Sequence, residues 1–145
     1  MTTEGKALSA ERPVALVVAD FMFAARVQNA LAEAGWASKT ESAPESALET
    51  YKSFPPDLVL VELGAGNPAR LQLIRDLRSA PGGAKTPLLA FGSHKAKAML
   101  EEARVAGATM VVSNRTLVSR FRDVVKKAVS PDLKEEERML TEDDE

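Results

Sequence analysis

The sequence contains no cysteine, which excludes disulfides, thiolate metal sites and a cysteine nucleophile. It has no long apolar run, so no segment is predicted to cross a bilayer. Its first residues, MTTEGKALSAERP, are polar and lack the apolar core of a signal peptide. A large charge of one sign is also absent, because the net charge is only -2. We therefore expect no general attraction to nucleic acid or to a membrane, and a cytoplasmic location fits the cysteine-free composition.

The sequence does contain a strict alternation of two hydrophobic periods. Five short segments typical of strands are each followed by a segment with helical spacing of its apolar residues. The predicted strands are PVALVVAD (13–20), ASKTES (37–42), DLVLVEL (57–63), TPLLAFGS (86–93) and TMVVSN (109–114). This alternation favours a parallel sheet with helices on both faces, because parallel neighbours require crossover connections. Since ASKTES is polar enough for an edge strand, we predict an α/β, flavodoxin-like (βα)5 three-layer sandwich with strand order 2-1-3-4-5.

The predicted domain covers residues 13–129, because the chain suits a single core and no linker divides that range. Residues 1–12 are predicted to form a flexible leader. The segment 130–145, SPDLKEEERMLTEDDE, is predicted to be an acidic C-terminal tail, either solvated or a short helix. The alternative is an acidic segment that docks on a basic partner or back on its own domain.

Two carboxylates, Asp20 and Glu62, stand at the ends of the predicted first and third strands. In a sheet of this order, ligands bind outside the carboxyl ends of the strands, near the switch point between those two strands. We therefore expect both carboxylates to face one crevice. They could form a residual cation site. The alternative is a solvated acidic cleft with a hydrogen bond from Asn114 or Ser93.

Over residues 13–129 the sequence resembles the receiver domains of bacterial two-component response regulators. The segments VALVVADF, PDLVLVEL, TPLLAFGSH and AGATMVVSN carry this resemblance through their order and spacing. Members of the family have an acidic pair after the first strand that helps to bind magnesium, and an aspartate after the third strand that accepts a phosphoryl group. A serine or threonine ends the fourth strand, and a lysine ends the fifth. The resemblance implies a pocket of this kind at the corresponding positions.

The sequence departs from the family pattern at most of these positions. The acidic pair falls on Ala19 and Asp20, and the acceptor falls on Glu62. The hydroxyl position falls on Gly92 with Ser93 beside it, the lysine position on Asn114, and the aromatic switch position on Val111. A glutamate carries its carboxylate about 1 Å further out than an aspartate, and one magnesium ligand and one cation are missing. Efficient phosphorylation of Glu62 is not expected, because phosphoryl transfer tolerates little misplacement.

These departures predict a stand-alone atypical receiver, or pseudo-receiver, which acts in bacterial signalling through phosphorylation-independent protein–protein interaction. We assign it no catalytic residue and no cofactor, and only weak magnesium ligands in Asp20 and Glu62. Two alternatives stay open. One is a phosphorylatable, magnesium-dependent response regulator, and the other is a small-molecule sensor that uses the altered acidic cleft.

Basic residues of the predicted fourth and fifth helices form a candidate partner face. In the resembled family, these helices and the fifth strand form the usual docking and dimer surface. An unidentified protein partner and a homodimer through the two helices are therefore expected, and ordinary surface charge is the alternative. The candidate residues are Lys95, Lys97, Arg104, Arg115, Arg120 and Lys126.

Overall fold

The computed structural model describes residues 12–64 and 68–141, which form one parallel sheet with helices on both of its faces. The strands are β1 Val14–Val18, β2 Ala37–Glu41, β3 Leu58–Glu62, β4 Leu88–Gly92, β5 Met110–Ser113 and β6 Met139–Leu140. The helices are α1 Phe21–Glu33, α2 Pro44–Ser53, α3 Pro68–Ser79, α4 Lys97–Ala106, α5 Asn114–Ser119 and α6 Phe121–Ala128. A 3-10 turn covers Glu135–Glu137. The predicted leader, apart from Arg12, lies outside the described residues.

The sheet has the order β2-β1-β3-β4-β5-β6, so the predicted α/β class and the order of the first five strands are confirmed. The predicted count of five strands is corrected to six. Met139 and Leu140 pair in parallel with Val111 and Val112, and the Val111 amide donates to the Arg138 carbonyl at 2.7 Å. The sixth strand comes from the segment predicted as a tail, where a single Met-Leu pair interrupts the acidic residues.

The core consists of two apolar layers, one on each face of the sheet. Alternate residues of a strand point to opposite faces, so both layers draw on the same strand. In β3, Val59 and Val61 pack with the layer beneath α2, α3 and α4. Leu58 and Leu60 pack with the layer beneath α1, α5 and α6. The uninterrupted apolar run in this strand is therefore explained by burial on both faces.

The segment predicted as one fifth helix forms two, because Arg120 adopts a non-helical backbone between them (φ -129°, ψ 39°). The first of the two, α5, begins immediately after β5. Ser113 caps it, since its Oγ accepts a hydrogen bond from the Thr116 amide at 3.2 Å. Asn114 is consequently the first residue of a helix, where the sequence predicted the last residue of a strand.

Candidate functional site

An open cleft of about 570 Å³ lies at the carboxyl ends of the central strands. Its lining consists of Asp20, Glu62, Gly64, Gly92, Ser93, Lys95, Ala96 and Asn114. Six of the residues singled out from the sequence thus share one crevice, and the expected convergence of Asp20 and Glu62 is found there. Ala19 is buried next to it, and Val111 is fully buried inside the sheet.

Glu62 is the last residue of β3, and its side chain is fixed by a hydrogen bond across the sheet. The Asp20 amide donates to Glu62 Oε1 at 2.8 Å. The Glu62 side chain is only 12% exposed, whereas that of Asp20 is 75% exposed. The Glu62 carboxylate therefore turns toward the junction of β1 and α1 and is largely withdrawn from solvent.

The charge next to these two carboxylates comes from Arg70, in the first turn of α3. Its side chain is 5% exposed, and its Nη2 donates to Asp20 Oδ1 at 3.2 Å and to the Ser42 carbonyl at 3.0 Å. Its Nη1 donates to the Glu62 carbonyl at 2.5 Å and lies 3.9 Å from Glu62 Oε1. A buried guanidinium therefore joins the ends of β1 and β3 to the loop after β2.

Sequence reasoning missed Arg70, although a signal for it was present. Arg70 precedes Leu73, Ile74 and Leu77 by three, four and seven residues, so it lies on the apolar stripe by which α3 contacts the sheet. An arginine on such a stripe, one loop after a strand that ends in a carboxylate, indicates an internal ion pair.

The hydrogen bonds expected from Asn114 or Ser93 to the acidic residues are not found among the described residues. Ser93 Oγ instead accepts from the Lys95 amide at 3.2 Å, in a local turn. The buried Asn114 Oδ1 has no hydrogen-bond partner within the described part of the chain. Arg70 provides the contacts that this expectation assigned to Asn114 and Ser93.

No family model and no curated protein matches the chain. Solved structures do match it. A response regulator from Thermotoga maritima shares 23% identity at a TM-score of 0.70, over 81% of this chain and 98% of the other. The NtrX receiver domain from Brucella abortus shares 18% identity at a TM-score of 0.70, over 82% of this chain and 99% of the other. The chemotaxis response regulator CheY4 of Vibrio cholerae shares 17% identity at a TM-score of 0.65, over 77% of this chain and 97% of the other. The chain has the fold of response-regulator receiver domains. At these identities the likeness establishes the fold alone.

The receiver fold raises the question of magnesium, and the residues of this cleft do not fit it. Magnesium requires near-octahedral oxygen ligands and usually keeps several waters. Here the Asp20 carboxylate is paired with Arg70, and Glu62 Oε1 accepts from a backbone amide. Within the described residues, no group of three His, Cys, Asp or Glu side chains could hold a metal ion. A guanidinium already lies within 4 Å of both carboxylates, where a hard cation would otherwise be held.

The basic residues predicted as a partner face are distributed over different parts of the receiver fold. Lys95 lines the cleft, Arg104 pairs with Glu101 within α4, and Arg120 pairs with Asp123. The set includes residues of α4 and of α5 and α6, which cover opposite faces of the sheet. Between them β6 pairs with the outer edge of β5, so the segment 134–140 occupies part of the surface expected to dock. No helix of the described residues is long and apolar enough to span a membrane.

Proposed function

We propose that this chain is an atypical receiver domain that acts through protein contacts and does not depend on phosphorylation of Glu62. One observation carries the proposal: the Arg70 guanidinium, only 5% exposed, bonds to Asp20 and to the end of β3. A bacterial signalling role in the cytoplasm is the setting that the sequence resemblance implies. We also propose that the domain needs no cofactor and has no enzymatic activity.

The chemistry of phosphoryl transfer supports the proposal. An acceptor must reach the phosphorus in line, and a misplacement of about 1 Å can cost a hundredfold in rate. Glu62 Oε1 is already engaged, because it accepts a hydrogen bond from the Asp20 amide. Electrostatic stabilisation of the transferring group requires cations placed in advance, and the family's lysine position is the neutral Asn114. Arg70 is held beside Asp20 and Glu62 by two main-chain carbonyls, so it is not free to follow an incoming phosphate.

The same contacts argue for a single fixed conformation. The Arg70 side chain ties together the ends of β1 and β3 and the loop at Ser42. Val111 is buried at the position where the resembled family has its aromatic switch. If Glu62 gains no phosphoryl group and position 111 has no aromatic residue to move, the domain has no phosphorylation signal to transmit. It is suited to presenting a constant surface to a protein partner.

Beryllofluoride with magnesium tests this proposal, because the pair mimics a bound phosphoryl group. In two-dimensional amide NMR spectra, the resonances of Asp20, Gly92 and Asn114 should not move on addition of the pair to the wild type. The Arg70→Ser variant is the matched comparison, since it frees the Asp20 carboxylate, and magnesium alone should shift its Asp20 amide. A saturable shift in the wild type that disappears in Glu62→Gln would overturn the proposal in favour of a phosphorylatable receiver.

The remaining alternative is a small-molecule sensor that uses the altered cleft at Asp20, Glu62 and Asn114. The exposed Lys95 also belongs to the cleft lining and would attract an anionic ligand. A thermal-shift screen with nucleotides and anions addresses it. A ligand at a hundred times its Kd should add about 2.7 kcal/mol to the free energy of unfolding. The proposal predicts no such shift, and a shift lost in Lys95→Ala would favour the sensor.

A further inference from the structure

The edge of the sheet beyond β5 is covered by the chain's own C-terminal residues. We call residues 134–140, which contain the 3-10 turn and β6, the C-terminal strap. Its strand makes two register pairs with β5, Val111 with Met139 and Val112 with Leu140. By comparison, β3 makes four register pairs with each of its neighbours. Strands of ordinary size have about five or six residues, so the strap is a short and weakly paired edge.

The two side chains of β6 close the core on both faces of the sheet. Met139 packs on the apolar layer beneath α2, α3 and α4, and Leu140 packs on the layer beneath α1, α5 and α6. Under this cover, the side chains of Val111 and Val112 are fully buried. The five-strand order predicted from the sequence would leave β5 as an open, apolar edge. Such an edge pairs readily with another extended chain.

Cations on two helices stand next to the acidic part of the strap. On α6, Lys127 Nζ lies 2.7 Å from Glu137 Oε2. On α4, the hydrogen bond of Arg104 to Glu101 raises the pKa of the arginine, and the nearby charge of Glu135 raises it further. Since α4 and α6 cover opposite faces of the sheet, each face supplies one cation beside this edge. The edge of β5 is therefore complementary to carboxylates that precede an apolar pair.

The contacts that hold the strap are few and incomplete. The side chains of Lys127 and Glu137 are 27% and 30% exposed, and ion pairs with such access to water contribute little stability. Arg138 Nε is buried without a hydrogen-bond partner in the described part of the chain, since Glu135 Oε1, 3.4 Å away, does not meet hydrogen-bond geometry. A buried donor left unsatisfied destabilises the conformation that buries it. The strap thus opposes its own release only weakly.

We propose that the outer edge of β5 binds an extended segment of a partner protein, and that the C-terminal strap is a built-in competitor that closes this site. The partner segment carries glutamates followed by two adjacent large apolar residues, one for each face of the sheet. It adds to β5 as a parallel strand and pairs with all four residues of Met110–Ser113, where the strap pairs with two. This inference rests on the proposed function, because it names the surface and the chemistry of the protein contact.

Competition of this kind makes the affinity depend on how often the strap is released. A ligand that binds only the open edge has its apparent affinity reduced by the fraction of molecules in which the edge is open. Changes that release the strap should therefore strengthen binding. A permanent sixth strand would give the opposite result, because disturbing it would damage the site.

Hydrogen exchange of the wild type tests the release of the strap without any substitution. The Val111 amide donates to the Arg138 carbonyl at 2.7 Å, so its protection reports the seated strap. Local opening should make Val111 exchange at least a hundredfold faster than Leu60 in the central strand β3, at a rate that low urea concentrations leave unchanged. Equal rates at the two amides would show that the strap opens only with the whole fold, and would overturn the inference.

A labelled peptide with the sequence of residues 133–141, LKEEERMLT, tests the site itself in the full chain. In fluorescence polarisation, the released variant Met139→Glu, Leu140→Glu should bind this peptide at least tenfold more tightly than the wild type. The bound peptide should restore the protection of the Val111 amide. The matched control is Met139→Leu, Leu140→Met, which keeps both apolar side chains and should bind like the wild type. A scrambled peptide of the same composition should bind none of the three.

Charge recognition is tested in the same released variant. Adding Lys127→Glu should weaken the peptide at least threefold, and a peptide with lysine at the position of Glu137 should recover the loss. Lys126→Glu is the matched control, because Lys126 is the neighbouring exposed lysine of α6, and it should change the affinity less than twofold. Equal losses in the two variants would contradict the role given to Lys127.

Three further outcomes would overturn the inference. Peptide binding no tighter in the released variant than in the wild type would show that the strap does not compete. Equally tight binding of the scrambled peptide would show that the edge selects no sequence. Wild-type dimerisation in sedimentation velocity that the released variant abolishes would assign the edge to the strap of a second copy. All of these results leave the beryllofluoride test of the cleft unaffected, so the two proposals fail separately.

Discussion

At the scale of the residue, Arg70 makes the contacts that join the ends of β1 and β3. Replacement of Arg70 by methionine keeps most of the side-chain volume but removes the charge beside two carboxylates and the donors to the Glu62 and Ser42 carbonyls. Asp20 is mostly exposed and stays solvated, so the groups left without a partner by the missing guanidinium are mainly Glu62 and the two carbonyls. We expect the free energy of unfolding, measured in urea, to fall by about 2 to 3 kcal/mol.

Arg75 provides the control for this measurement, because it lies on the same helix and its side chain is exposed. Its guanidinium makes a hydrogen bond to Gln72 within the helix. Arg75→Met should change the free energy of unfolding by less than about 0.5 kcal/mol. Equal losses in the two variants would show that the Arg70 contacts add nothing to stability.

The residues of the cleft were only partly predictable. Asp20 and Glu62 could be placed together because parallel strands end at one edge, whatever the details of packing. The role of Arg70 was harder to predict from the sequence, because it depends on how the first turn of α3 lies over that edge of the sheet. The alternative of a hydrogen bond from Asn114 or Ser93 to the carboxylates depended on where the fifth strand ends, and the sequence did not show that α5 begins at Asn114.

At the scale of the element, strand β6 is held by an ion pair whose effect depends on pH. Lys127 Nζ lies 2.7 Å from Glu137 Oε2, and the hydrogen bond from Lys127 lowers the pKa of Glu137. A lowered folded-state pKa contributes stability above the ordinary glutamate value of about 4.3, and this contribution is lost as the pH falls below it. Protection of the Val111 amide, which donates to Arg138, should therefore decrease in hydrogen exchange below that pH.

Two neighbouring lysines allow a matched comparison for β6. Lys127→Met should lower Val111 protection already at neutral pH and reduce its dependence on pH between about 5 and 3. Lys126→Met should leave both unchanged, because Lys126 is exposed and makes no ion pair to Glu137 among those found in the described residues. If the two variants behave alike, Lys127–Glu137 does not secure the strand.

The elements themselves were predicted by hydrophobic period where burial is strong. The runs at β1, β3, β4 and β5 are buried on both faces, so sequence and structure agree there. The period could not reveal β6, because two residues carry no periodic signal and their neighbours are acidic. It also could not reveal the break at Arg120, since one non-helical residue leaves the apolar spacing of the segment nearly intact.

At the scale of the whole molecule, the cleft at the carboxyl ends of the strands carries an internal ion pair between Arg70 and Asp20. We propose that this pair closes the cleft to phosphoryl transfer. The fold alone does not distinguish a phosphorylated receiver from a fixed docking module. The Arg70 contacts are the feature that favours the docking module.

The most direct test of the proposal that Glu62 is not phosphorylated is the intact mass of the purified protein after incubation with acetyl phosphate and magnesium. We predict an unchanged mass at every magnesium concentration, in the wild type and in Glu62→Gln alike. A stoichiometric, magnesium-dependent gain of one phosphate in the wild type, mapped to Glu62 and absent from Glu62→Gln, would contradict it.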